Sequence, residues 1–287
     1  MTSINDDNNE IIKIEQDPVV VSGYEQAMLE AVTGGEWKKY TRVTMAALSG
    51  IPWVGSVISA AATLSSENEQ GGVNSLLFLW VKEHEIKLKE LGTTLNDMFI
   101  KFESFGDRIQ ERIESEEYIA LVRKTFKAWD RSDTQEKKQL FKKIITNAGG
   151  MDLCSDDLIR LFIDWIDRYH EAHFSVIKEI YHNEGITRGA IWDNINSSAK
   201  ERPRDDSAEA GLFGYLIREL TMGGVIHQEK NINSSGQFIK SKRPPQKHVS
   251  TTMESHFEDT KPYVLTELGK EFVHYVLVDL AQQIEGK

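Results

Sequence analysis

The feature that most constrains the fold is an uncharged stretch, residues 43–64, which reads VTMAALSGIPWVGSVISAAATL. It is long enough to cross the apolar layer of a bilayer, which takes about 20 residues. It is nevertheless poor in leucine and is interrupted by Gly-Ile-Pro at 50–52, and its flanks lack Lys/Arg clusters with aromatic belts. We therefore interpret it as two short helices in a protein core, with insertion into a membrane as the alternative. The side chains that would be buried in either environment are Trp53, Val54, Val57 and Ile58.

Apolar residues at helical spacing continue through most of the chain up to residue 182. Ser155 is a predicted N-cap, because its hydroxyl can accept from a free amide of the first turn. Gly149 and Gly150 predict a helix end. The predicted helices are Tyr24–Val32, Trp37–Leu48, one that starts at Pro52, Leu76–Phe102, Glu117–Asp130, Thr134–Asn147 and Ser155–His182.

The pattern changes after residue 182. Two short helices, the second capped by Ser207, are followed by the strand-like VIHQEKN, a long polar loop, the strand-like YVL and a helix capped by Thr266. A winged helix has this order of elements, with two helices followed by a β-ribbon that carries a long wing. The predicted core of this region is Leu212, Leu216, Ile217, Val225, Ile226, Val264, Leu265, Leu268, Phe272 and Val276.

The predicted fold class is mainly α, with a helical bundle-like N-terminal domain and a winged-helix-like C-terminal domain that contains a small β-ribbon. The predicted divisions are a mobile acidic tail at 1–22, the helical domain at 23–182 and the winged-helix-like domain at 183–287.

The overall charge and the cysteine content limit the classes of function. A formal charge of −11 argues against a protein that coats nucleic acid, because phosphates are bound by concentrated Lys and Arg. The single cysteine, Cys154, cannot form an internal disulfide, and its acidic neighbours Asp152, Asp156 and Asp157 predict a raised thiol pKa. The N-terminal residues lack the pattern of a secretory signal. We expect a cytoplasmic protein.

No motif for nucleotide binding or for a serine nucleophile occurs in the chain. His170 and His173 lie three residues apart on a predicted helix, with Asp167 one turn earlier, so these three side chains are the candidate metal ligands. Their spacing differs from H-E-x-x-H, and charged residues along the same helix indicate a solvated ion-paired face. We predict no bound metal, no cofactor and a non-enzymatic protein.

One basic run, FIKSKRPPQKH at 238–248, falls where the wing is predicted. Its candidate phosphate contacts are Lys240, Lys242, Arg243 and Lys247. The helix before the ribbon, however, offers only Arg218 as a strong donor to base edges. Sequence-specific DNA recognition is therefore disfavoured relative to a protein-binding role.

Three segments resemble a group of bacterial proteins of unassigned function. They are IPWVGSVISAA, RLFIDWIDRYHEAHFSVIKEIY and LTELGKEFVHYV, in a likeness that covers most of the chain from about residue 40. The resemblance implies a bacterial cytoplasmic protein and carries no catalytic residues with it. Proteins of this kind often accompany mobile elements or phage-defence loci, which is an association and not a mechanism.

These observations favour a non-enzymatic intracellular interaction protein, an adaptor or regulator in a defence or mobile-element system. The first alternative is a membrane-acting effector that releases the apolar hairpin at 43–64. The second is a DNA-binding regulator that uses the basic wing at 238–248. A protein partner of unknown identity is favoured over a membrane and over nucleic acid, and self-association stays open.

Overall fold

The structure, a computed structural model, describes residues 38–57, 75–150, 154–197, 201–229 and 255–277. Helices dominate this part of the chain, so the predicted mainly helical class is confirmed. The chain forms two compact units, one of Met1–Met45 and Trp53–Asn96, the other of Ala46–Pro52 and Asp97–Lys287. The predicted border after residue 182 falls inside the second unit. The predicted tail, the helix Tyr24–Val32 and the basic wing lie outside the described residues.

The described part of the apolar stretch belongs to both units, with residues 43–45 and 53–57 in the first and 46–52 in the second. A single 3₁₀ turn at Lys38–Tyr40 leads into α1 (Thr41–Ser49), residues 52–57 are helical, and α2 covers Ser75–Phe105. Helix α1 from Ala46 and helix α2 from Asp97 belong to the second unit. Within the first unit the ring of Trp53 lies 5.0 Å from that of His84. The proline begins the second helical segment, where its missing amide hydrogen costs nothing.

The second unit is built from short amphipathic helices around one core. After a 3₁₀ turn at Asp107–Ile109, the helices up to residue 182 are α3 (Gln110–Glu114), α4 (Glu116–Asp130), α5 (Gln135–Gly150), α6 (Asp156–Arg168) and α7 (Glu171–His182). Helices α4, α5 and α6 pack against one another. The predicted cap at Ser155 is confirmed, because its hydroxyl accepts from the amide of Leu158 at the start of α6.

The predicted single helix Ser155–His182 is wrong, because the chain turns between α6 and α7. Tyr169 and His170 are extended, with ψ angles of 142° and 164°. The backbone amide of His170 donates to Nδ1 of His173 at 3.0 Å, so His173 caps the start of α7 with its own side chain. The apolar residues keep their helical spacing across the turn, so the sequence pattern gives no sign of the break.

Glycines allow close packing in this unit. Helix α5 extends to Gly150, three residues beyond the predicted end at Asn147, so Gly149 lies within it. A Cβ on Gly149 would stand 2.9 Å from the ring of Phe102. A Cβ on Gly50 would stand 2.7 Å from the carbonyl oxygen of Arg123, so α4 approaches the backbone there closely. Small residues therefore serve packing at these two positions.

The region after residue 182 contains a three-stranded antiparallel sheet. Its elements are β1 (Ile186–Thr187), α8 (Arg188–Ile195), α9 (Ala208–Met222), β2 (Ile226–Gln228), β3 (Pro262–Leu265) and α10 (Glu267–Phe272). The predicted ribbon is the β2–β3 pair, in which Ile226 is opposite Leu265. The two-residue β1 was not predicted and pairs with the other edge of β3, so the order is β1-β3-β2.

An aromatic cluster joins the helices before residue 182 to the region after it. The ring of Phe272 on α10 lies 5.4 Å from Phe162 and 5.4 Å from Trp165, both on α6. It also stacks at 6.3 Å on Phe174 of α7. Because the three contacted rings come from both α6 and α7, the core is continuous across the predicted domain border.

The chain continues from α10 into a π-helical turn, Val273–Leu277. Asn147 of α5 donates its side-chain amide to the carbonyl of Tyr275 at 2.8 Å, and Lys143 donates to that of Leu277 at 3.3 Å. Two polar side chains of α5 thus hold the turn against that helix.

Replacing Thr266 with alanine is expected to lower the free energy of unfolding by about 1–2 kcal/mol. Its hydroxyl accepts from the amide of Gly269 at 2.8 Å and donates to the carbonyl of Gly224 at 2.7 Å, so it caps α10 and joins it to the chain before β2. Urea denaturation of the alanine and serine variants checks this. Thr266→Ser keeps both bonds and should stay close to the wild type; equal losses would contradict the capping role.

Candidate functional site

Helix α9 has one buried face and one exposed face that carries large side chains. The buried face comprises Ala210, Phe213, Gly214, Leu216, Ile217 and Leu220. On the exposed face Leu212, Tyr215 and Met222 are 59%, 49% and 81% exposed. With Arg218, which is also exposed, they occupy one arc of the helix at spacings of three and four residues. We call Leu212, Tyr215, Arg218 and Met222 the α9 face.

The exposure of Leu212 corrects the predicted core. Seven of the predicted members are buried: Leu216, Ile217, Val225, Ile226, Leu265, Phe272 and Val276. Val264 and Leu268 are half-buried. Leu212 lies one turn before the buried Leu216, at the edge of the exposed arc, and is itself exposed. Single exposed apolar residues are ordinary, whereas several on one helix face indicate a contact surface.

A cavity of about 580 Å³ adjoins the α9 face, since Arg218 and Met222 belong to both. Its other walls include Arg188, Ile217, Gln228, His256 and Tyr263. His256 packs directly over Gly214, where any Cβ would overlap the imidazole ring. A volume of this size is in the range of ordinary binding pockets.

The polar groups at the cavity are unevenly engaged. Asp205 accepts from the Ser255 hydroxyl at 2.8 Å and from the amide of His256 at 3.0 Å. Asp206 forms an ion pair with Arg204 at 2.8 Å. The side chain of Arg218, in contrast, makes no hydrogen bond or ion pair with any residue that the structure describes. Both carboxylates already have partners within the protein, whereas the guanidinium of Arg218 offers a cationic contact within an apolar face.

Glu219 holds α9 against the turn between α6 and α7. Its carboxylate accepts from Arg168 at 2.9 Å and lies 3.1 Å from Nε2 of His173. Burial alone would raise the pKa of Glu219, but hydrogen bonds from Arg168, Tyr215 and His173 outweigh it and lower that pKa. Glu219 is therefore an ionised hub, and Tyr215 connects it to the α9 face.

The hydrogen bonds of His173 define its tautomer. The side chain is fully buried, and Nδ1 accepts from the backbone amide of His170. A backbone amide can only donate, so Nδ1 carries a lone pair and the ring hydrogen is on Nε2, directed at Glu219. Burial lowers the pKa of His173 from its ordinary value of 6.5, and the attraction of Glu219 offsets this only in part. The imidazole is neutral at pH 7.

The candidate metal ligands do not converge on one point. Both ring nitrogens of His173 are engaged in hydrogen bonds within the protein. His170 is not part of the same helix turn, because it is the N-cap residue directly before α7. Asp167 is paired with Arg131 at 2.9 Å. Within the described ranges no three His, Cys, Asp or Glu side chains are grouped as a metal site requires.

The candidate residues of the apolar hairpin are placed in part. Val54 and Val57 are 1% and 2% exposed, whereas Trp53 is half-buried. Ile58 lies outside the described residues, as do Lys240, Lys242, Arg243 and Lys247 of the basic run. A search of the described helices for a segment with the length and apolarity of a bilayer span finds none.

Cys154 is half-buried, and the pKa of its thiol is raised. The direction agrees with the prediction, but the cause is burial and the nearby Glu271 instead of the adjacent aspartates. A raised pKa keeps the sulfur as a thiol, which is the unreactive form.

Comparison with protein-family models, with curated proteins and with solved structures finds no match in any of the three. The likeness to a bacterial group thus stays a prediction. Sequence reasoning did not identify Tyr215 and Glu219 as site residues. The only signal for the α9 face was the excess of apolar residues over what one buried helix face can hold.

Proposed function

We propose that this chain is a non-enzymatic bacterial interaction protein of the cytoplasm, in which the region after residue 182 is winged-helix-like and binds a protein partner through the α9 face. The observation that carries the proposal is the exposure of Leu212, Tyr215 and Met222 on one face of one helix. Exposed apolar side chains on one face are typical of protein-binding surfaces, with a few anchor residues contributing most of the affinity.

The order of the elements supports the winged-helix-like interpretation. Helices α8 and α9 precede the β2–β3 ribbon, and β1 completes a small sheet. In such domains the helix before the ribbon is the one that reads DNA. Here that helix presents three apolar or aromatic side chains and one arginine, whereas base edges are read by several hydrogen-bond donors. A protein partner fits this face better than a DNA groove.

The chemistry of the face suggests the kind of partner. An amphipathic helix or segment could place apolar side chains against Leu212 and Met222. Arg218 would then pair with a carboxylate of the partner, since its guanidinium has no ion pair among the described residues. The likeness to bacterial proteins near phage-defence and mobile-element loci suggests such a system as the context for an adaptor or regulator.

Site-specific photo-cross-linking in the native host tests the proposal. A cross-linking amino acid at position 212 should capture one defined protein, and the same group at position 86 should not. Ile86 is the matched control because it is also an exposed apolar residue on a helix, at 73%. Equal capture at both positions, or capture only of a second copy of this chain, would contradict a partner at the α9 face.

A further inference from the structure

We propose that the turn at residues 168–173 is an acid-sensitive clamp on α9: a proton gained by His173 opens the turn and loosens the helix that carries the α9 face. This inference concerns regulation of the site proposed above and rests on that proposal for its biological role. The physical change in α9 can be measured without a partner.

The clamp contacts Glu219 within α9 and Gly223, the residue that directly follows the helix. Tyr215 and Glu219 belong to the hydrogen-bonded hub with Arg168 and His173. One turn further along, the hydroxyl of Tyr169 lies against Gly223, where a Cβ would overlap it. Because Gly223 directly follows Met222, both the middle and the end of the exposed face are held by this turn.

His173 is the centre of the clamp. Its ring is stacked on that of Tyr169, with centroids 5.0 Å apart and planes inclined by 27°. One ring nitrogen holds the amide of His170 and the other faces Glu219 on α9. A single imidazole therefore caps α7, supports Tyr169 and contacts α9, so loss of its position affects all three.

Protonation would be incompatible with this arrangement. A proton on Nδ1 would face the backbone amide hydrogen of His170, so two donors would oppose each other at 3.0 Å and the cap of α7 would be lost. The charged and titratable groups around the ring are Glu219 and Tyr215 from α9, with Arg168, Tyr169 and His170 from the turn. Attraction to Glu219 would stabilise the imidazolium but would not replace the lost hydrogen bond that caps α7.

The direction of the pH dependence follows from the pKa of His173, which is lower in the folded protein than 6.5. Between the two pKa values the unfolded chain binds more protons, so the folded turn is at full stability above about pH 6.5. Stability then declines as the pH falls towards the folded-state pKa. Each pH unit in this interval raises the equilibrium constant for opening of the turn by at most about tenfold.

Hydrogen exchange of the full chain at pH 7.5 and 5.5, corrected for intrinsic rates, tests the clamp. In the wild type, acid should increase exchange in residues 169–173 and 208–223. His173→Gln should remove this increase, because glutamine at that position can still accept from the capping-residue amide but does not titrate. His182→Gln is the control, since His182 is exposed and bonded only within its own helix, and it should behave as the wild type. An equal acid response in His173→Gln, or none in the wild type, would overturn the proposal.

A second measurement needs no variant, in case His173→Gln does not fold. Nitrogen chemical shifts of the imidazoles, followed through a pH titration, report tautomer and pKa directly. The clamp requires one histidine with hydrogen on Nε2 and a pKa below 6.5. A pKa for His173 at or above 6.5, or hydrogen on Nδ1, would overturn it. Cross-linking at position 212 at pH 7.5 is independent of this result, so the clamp and the partner proposal fail or succeed separately.

Discussion

Val57→Asp is expected to unfold the first unit or to lower its free energy of unfolding by several kcal/mol. Val57 is 2% exposed, so the substitution places a carboxylate where water cannot solvate it. Ser56→Asp is the matched control, because the neighbouring Ser56 is exposed on the same helical segment and can carry a charge in solvent. Thermal unfolding of the two variants should give a large decrease for position 57 and little change for position 56.

The same variant separates a core hairpin from one that is released into a membrane. Dye release from anionic vesicles should be absent for the wild type if residues 43–57 only serve the core. A wild type that causes leakage, together with a Val57→Asp protein that folds normally and causes none, would contradict this account. That result would favour the membrane-acting effector.

Phe272→Ala is expected to cost about 3–5 kcal/mol, the range for removing a buried aromatic ring. The ring is fully buried between α6 and α7, with Trp165 at 5.4 Å. Because it joins the helices before residue 182 to the region after it, the two regions should melt together. Urea denaturation followed by far-UV circular dichroism and by tryptophan fluorescence measures the free energy and the coincidence of the transitions.

Phe272→Leu is the control for this prediction, since leucine retains much of the apolar volume and should cost clearly less than alanine. Two separate transitions in the wild type, one for residues up to 182 and one for the rest, would contradict a continuous core. They would instead support the domain border predicted from the sequence.

A helix was predictable where the residues that determine it lie within the helix or directly beside it. The predicted Glu117–Asp130 differs by only one residue from the observed Glu116–Asp130. The agreement is close because the amphipathic spacing lies within the helix and its N-cap, Ser115, directly precedes it. The turn at Tyr169 was not predictable. It depends on a side-chain bond from His173 to the chain before it, and the apolar spacing continues through it unchanged.

The candidate site was harder to predict because it depends on which elements meet. Glu219 and His173 are 46 residues apart in the sequence, and only the fold brings them to hydrogen-bonding distance. Leu212 has the same residue type as its buried neighbour Leu216, so spacing alone could not show which of them faces away from the core. The two-residue β1 is too short to carry an alternating pattern.

The central claim is that the α9 face binds a protein partner, and the affinity of that partner tests it most directly. The protein captured through position 212 would be titrated calorimetrically against the wild type, Leu212→Asp and Ile86→Asp. We expect Leu212→Asp to weaken binding by at least about tenfold, as for an anchor residue in an interface, and Ile86→Asp to leave it unchanged. Equal affinities for the wild type and for a folded Leu212→Asp variant would contradict the claim.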